Sequence, residues 1–93
     1  VNYVSEVKEI LENLKKEHKK ARHIPYAYKI DQDIKKSDDK EPSGTSGMPI
    51  LNIIEKNSLN HVLIVVVRYF GGIKLGARGL IRAYGNASKE VIK

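Results

Sequence analysis

The chain has 93 residues, which make one domain of 1–93 with a single modest core. It has no cysteine, so disulfides, disulfide-linked partners and thiolate metal sites are excluded. Its formal charge is +6, from 17 Lys and Arg against 11 Asp and Glu, a balance that suits a polyanionic partner but does not say where the charge sits. The longest apolar run, residues 62–67, is too short to span a bilayer, and charges at Glu6, Lys8 and Glu9 interrupt any leader pattern. The expectation is a soluble, cytoplasmic domain with no membrane partner.

In chain order, residues 1–4 read as a short strand. Ser5 suits an N-cap, and Glu6 suits the first turn of a helix, where the dipole favours a carboxylate. Val7, Ile10, Leu11 and Leu14 recur at helical spacing and predict a helix over about 6–19, with Lys8, Glu12, Lys15, Lys16 and Lys19 on its wet face. Residues 23–30 alternate: Ile24, Tyr26, Tyr28 and Ile30 share one face, and His23, Ala27 and Lys29 the other. Pro25 lacks a ladder donor and points to an edge strand or to the first residues of one. Residues 31–47 lose nearly all apolar character and read as one long loop, a length usually tied to function or disorder.

Ile50, Leu51, Ile53 and Ile54, with Pro49 near the start, predict a short helix over 48–55. Residues 61–68 carry six consecutive aliphatics, the mark of a strand covered on both faces, with Leu63, Val65 and Val67 on one side and Val62, Ile64 and Val66 on the other. This strand is expected to form the centre of the domain. After the string GGIKLGARG, a second long helix runs from about residue 77 to 93. It divides into an apolar side (Leu80, Tyr84, Ala87, Ser88, Val91) and a basic side (Arg78, Arg82, Lys89, Lys93). Gly85 lies among the basic residues, where a close backbone approach would explain a residue that weakens a helix.

Three blocks, ARHIPYAYKI, SDDKEPSGTSGMPIL and VRYFGGIKLGARGLIRAY, resemble the N-terminal domain of the IMPACT (YigZ) family. The resemblance implies an α+β fold, a two-layer α/β sandwich like the C-terminal domain of a small-subunit ribosomal protein. It implies a role around the ribosome or in translation regulation, with translation-regulatory proteins as further partners. It also implies a second, ferredoxin-like domain in bacterial members, so that this chain is expected to be a fragment of a longer two-domain protein. Three departures stand out: family members commonly have Gly where this chain has Lys40, often Gly at the position of Arg78, and less usually a proline at the position of Pro25.

Three candidate sites follow. Gly71, Gly72, Gly76 and Gly79, with Lys74 and Arg78 beside a helix N-terminus, form a candidate anion-binding turn. It lacks the Lys-Ser/Thr ending of a P-loop, and the same glycines also serve a plain strand-to-helix turn. Asp38, Asp39 and Glu41, with Ser43 and Thr45, populate the long loop. Their spacing lacks the ligand alternation of a calcium loop, so no metal and no cofactor are expected, and a solvated loop ending in a helix cap is the simpler account. Arg68, Tyr69 and Phe70 end the aliphatic strand, where ligands of α/β folds gather; Phe70 reads as a core lid and Tyr69 stays open. The histidines 18, 23 and 61 show no ligand spacing, and no catalytic residue is assigned.

These features favour a nucleic-acid or ribosome-binding module over an enzyme, with Arg68, Lys74, Arg78, Arg82 and Lys89 meeting RNA. The alternatives are a small-anion or nucleotide-binding enzyme domain, for which fold analogy is only associational, and a protein–protein docking domain.

Overall fold

Helical periodicity in residues 4–17 places Val7 and Leu11 on one buried stripe and makes the first helix, α1 (Val4–Glu17). In the computed structural model, which describes residues 1–69 and 76–92, five further elements follow. They are β1 (Tyr26–Ile30), β2 (Asp33–Ser37), α2 (Gly47–Lys56), β3 (Val62–Val65) and α3 (Gly76–Glu90). The three strands form an antiparallel sheet in the order β2-β1-β3. The α+β class holds. No helix among the described residues is long and apolar enough to cross a membrane.

Alternation in β1 supplies both faces of the sheet at once. Tyr28 and Ile30 point to α1, where they meet Val7 and Leu11, with Leu63 and Val65 of β3 packed alongside. Ala27 points the other way into the larger cluster of Ile50, Leu51 and Ile54 from α2, Ile64 from β3, and Leu80 and Tyr84 from α3. Helices therefore cover both faces, α2 and α3 on one and α1 on the other.

Several local expectations change. Tyr3, not Ser5, is the N-cap of α1, and residues 1–4 form no strand. The Glu6 carboxylate reaches back to accept the N–H groups of Asn2 and Tyr3, at 2.9 and 3.0 Å. Pro25 stands at the approach to β1, ahead of its ladder, and β1 is the central strand and not an edge. The reverse holds for β3: both its faces are packed, but it lies at one border of the described sheet, and of its four residues only Ile64 is buried. The supposed loop 31–47 contains β2, whose exposed Asp33, Ile34, Lys35 and Lys36 leave no hydrophobic pattern to find. In α3, Val91 lies beyond the helix and is 69% exposed, while Leu80, Tyr84 and Ser88 form the buried stripe. A Cβ added at Gly85 would meet nothing within 4 Å, so no close approach accounts for that glycine.

The two-residue turn between β1 and β2 holds Asp31 at a φ of 56°. Its N–H donates to Asn60 Oδ1 at 2.8 Å, and its carboxylate accepts from Asn60 and His61, which lowers the Asp31 pKa, chiefly through the His61 contact. The hairpin tip is thereby tied to the segment entering β3.

The two-cluster core gives a direct test. Ile54 is fully buried, so Ile54→Ala should lower stability by about 2–5 kcal/mol through lost burial and the cavity left behind. Ile34 is 45% exposed on β2, and Ile34→Ala should stay within about 0.5 kcal/mol of the parent. Urea unfolding of both variants checks the pair.

Candidate nucleic-acid interface

The loop after β2 turns sharply because Asp39 and Lys40 both adopt left-handed backbone, with φ of 44° and 69°. That turn aims the Asp38 carboxylate at the start of α2. Its Oδ1 accepts the N–H groups of Gly47 (2.9 Å) and Ser46 (3.2 Å) and the Ser46 hydroxyl (3.0 Å), while Oδ2 accepts the N–H of Gly44 (3.0 Å). Asp38 thus fills the anion-attracting end of α2 from within the protein. Gly47 is required by the same arrangement, since a Cβ there would lie 2.9 Å from the backbone N of Ser37. Partial desolvation favours the neutral acid, but the donors from Gly44, Gly47 and Ser46 together outweigh it and hold the Asp38 carboxyl below its ordinary value.

The remaining loop carboxylates also face inward. Asp39 Oδ2 accepts the N–H of Ile24 at 2.6 Å, just ahead of β1. Glu41 is buried, 8% exposed, and gathers groups from three other parts of the chain. Its Oε2 accepts from the Arg68 guanidinium and, at 2.6 Å, from the Tyr84 hydroxyl; its Oε1 lies 3.3 Å from His23 Nε2. His23 Nδ1 in turn faces the Asp39 carbonyl at 2.7 Å. Both ring nitrogens meet acceptors, so the two contacts are hydrogen bonds together only when the imidazole carries both protons. The Glu41 bond raises the Arg68 pKa and keeps the guanidinium charged. Burial, reinforced by Glu41, pushes the Tyr84 phenol up, so it remains a donor.

Thr45 is buried with its hydroxyl on the Pro42 carbonyl, and Ser43 is exposed. No buried side-chain N or O among the described residues lacks a hydrogen-bond partner. No group of three or more His, Asp or Glu among them is placed to hold a metal ion. The acidic cluster is a structural knot.

The candidate cations separate accordingly. Arg68 is committed to Glu41 and does not join an outer surface. Arg78, Arg82 and Lys89 are exposed on α3, at helical steps that return them to one side, away from buried Leu80, Tyr84 and Ser88. Gly76 opens that helix with a φ of 72°, and Gly79 is half-buried within it. Gly71, Gly72, Lys74, Phe70 and Lys93 lie outside the described residues.

Pattern reading missed the His23–Glu41–Arg68–Tyr84 knot because its members are scattered along the chain. Two hints existed: a Tyr on the apolar side of α3, and an Arg closing an aliphatic strand.

The family model for the Impact N-terminal domain matches residues 1–92. The chain belongs to the IMPACT family. This IMPACT domain is 48% identical over 93 residues to the IMPACT family member YvyE of Bacillus subtilis, covering 97% of the chain and 43% of that relative. It is 37% identical over 95 residues to the IMPACT family member YigZ of Escherichia coli, covering 97% of the chain and 47% of the relative. A crystal structure described as a hypothetical protein superimposes with a TM-score of 0.93 at 36% identity, over 99% of this chain and 47% of that one. The chain spans less than half the length of these curated relatives.

Two outcomes follow from the loop. The Asp38 pKa is lowered on folding, so its contribution to stability is present above its ordinary value of 3.8 and lost as pH falls through the folded value. Asp38→Ala should cost about 1–3 kcal/mol at neutral pH and flatten the acid limb of stability against pH, measured by urea unfolding across a pH series. Lys40, where the resemblance leads one to expect glycine, has a φ of 69° that costs an L-residue energy. Lys40→Gly should therefore raise stability by about 0.5–1 kcal/mol, visible as a higher Tm.

Proposed function

We propose that this IMPACT-family domain is a nucleic-acid or ribosome-associated binding module in the regulation of translation, and that it meets RNA phosphates through the outer face of α3. The observation that carries the reading is the row Arg78, Arg82 and Lys89, exposed on one side of a helix whose other side is anchored by Leu80 and Tyr84. A rigid helix with an anchored inner face offers cations at fixed spacing, and phosphate contacts require little more than that. The net charge of +6 and family membership support the same reading. Arg78, where the resemblance leads one to expect glycine, adds a charge at the third residue of α3 and is compatible with its helical backbone.

The inward commitment of Asp38, Asp39, Glu41 and Arg68 argues against acid–base chemistry in the loop, because every one of these groups already has protein partners. Contacts to phosphate position a ligand without reading bases, so affinity should depend on salt and little on sequence. Arg78→Glu with Arg82→Glu should weaken RNA or ribosome binding by about tenfold or more and reduce the slope of log affinity against log salt by about 1–2. Thermal stability should stay nearly unchanged, since both side chains are exposed. Filter binding over a salt series, paired with melting curves, measures both; undiminished binding with an unaltered slope would refute the α3 surface.

A further inference from the structure

The densest run of positive charge lies elsewhere, at the far end of α1. Residues 15–22 read KKEHKKAR, with Lys15, Lys16, Lys19, Lys20 and Arg22 all exposed and Glu17 the one carboxylate. The helix dipole explains Lys15 and Lys16, which sit in the last turn. It does not explain Lys19, Lys20 and Arg22, which follow the helix.

An aromatic ring stands beside them. The backbone bridge between His23 and Arg68 is antiparallel, and the Arg22 N–H donates to the Arg68 carbonyl at 2.8 Å. The His23 N–H donates to the same carbonyl at 3.3 Å, so Arg22 and His23 together lie against Arg68, the residue before Tyr69. Tyr69 is 44% exposed. His18, the C-cap of α1, hydrogen-bonds the Tyr69 hydroxyl through Nδ1 and meets the ring edge-on, with centroids 5.6 Å apart and planes at 74°. The ring is held at its hydroxyl end yet remains open to solvent, which is the opposite of a core lid.

We infer that this surface is a docking site for single-stranded RNA, with an unstacked base on the Tyr69 ring and the adjoining phosphates on Lys19, Lys20 and Arg22. A fixed, exposed aromatic next to backbone-seeking cations is the chemistry that captures single strands, because stacking needs a base not already buried in a duplex. The inference rests on the reading of the domain as an RNA-binding module and adds to it the class of RNA and a second surface, separate from α3.

The test uses the whole 93-residue chain and fluorescence anisotropy with a labelled oligouridylate, an RNA duplex of equal length, and heparin as a polyanion without bases. Tyr69→Ala should weaken oligouridylate binding about 5- to 100-fold, the range expected for removing one stacking platform. Heparin binding should change by no more than about twofold, because the charge is untouched. Tyr69→Phe, which keeps the ring, should retain most of the affinity, and the duplex should bind more weakly than the single strand. Unchanged oligouridylate binding by Tyr69→Ala would overturn the proposal, as would an equal loss for heparin and oligouridylate. If Arg78→Glu with Arg82→Glu leaves binding intact while Tyr69→Ala reduces it, the α3 surface falls and this one stands. The converse result removes this one alone, and absence of RNA binding by the parent chain removes both.

Discussion

A carboxylate taken out of water has to be surrounded by donors, and Glu41 meets that demand with groups from three other parts of the chain. Arg68 brings the segment after β3, Tyr84 the middle of α3, and His23 the approach to β1. None of these groups is near another in sequence, so the position of the loop, the last helix and the strand ends is set jointly. The loop cannot swing out without leaving the Arg68 guanidinium and the Tyr84 hydroxyl short of a partner. Asp38 extends the same constraint to α2 by bonding the backbone at its start.

This arrangement divides the positive charge into two populations. Arg68 faces Glu41 and serves the interior. The arginines and lysine of α3 and Lys15 and Lys16 of α1 remain on the outside, on helices whose inner faces are held by apolar packing, and Lys19, Lys20 and Arg22 follow α1. Cations on anchored elements keep their spacing, whereas the same residues on an unconstrained loop would lose conformational freedom on meeting a ligand. The carboxylates of the loop that looked most functional by composition are held by partners within the chain, and the polar surfaces that present charge to solvent are parts of ordinary helices and turns.

The helices were legible because Val7, Leu11, Ile50, Ile54, Leu80 and Tyr84 recur at helical spacing, and burial follows that spacing. The assignment of alternate residues of β1 and β3 to opposite faces was legible for the same kind of reason. Which strand is central was not. An unbroken aliphatic run reports coverage of both faces of a strand, and says nothing of whether a neighbour lies on each side of it in the sheet. β2 escaped notice because Asp33, Lys35 and Lys36 sit on an exposed strand whose pairing with β1 is made by backbone alone. Composition located Asp38, Asp39 and Glu41 in one loop, but the partners of Asp39 and Glu41 are distant in sequence, and periodicity carries no information about such pairs.

The central place of β1 also bears on the order in which the molecule assembles. Its pairing with β2 closes across two residues and is available to the chain early, on the timescale of hairpin formation. Its pairing with β3 joins segments separated by β2, the loop and α2, and loop-closure entropy opposes that step until the apolar contacts of both clusters form. On this topology the hairpin is expected to form as a local nucleus and β3 to join later, with the Glu41 knot, which needs the segment after β3 in place, completed last. Substitutions in the knot should act mainly on the rate of unfolding, and substitutions in the hairpin on the rate of folding.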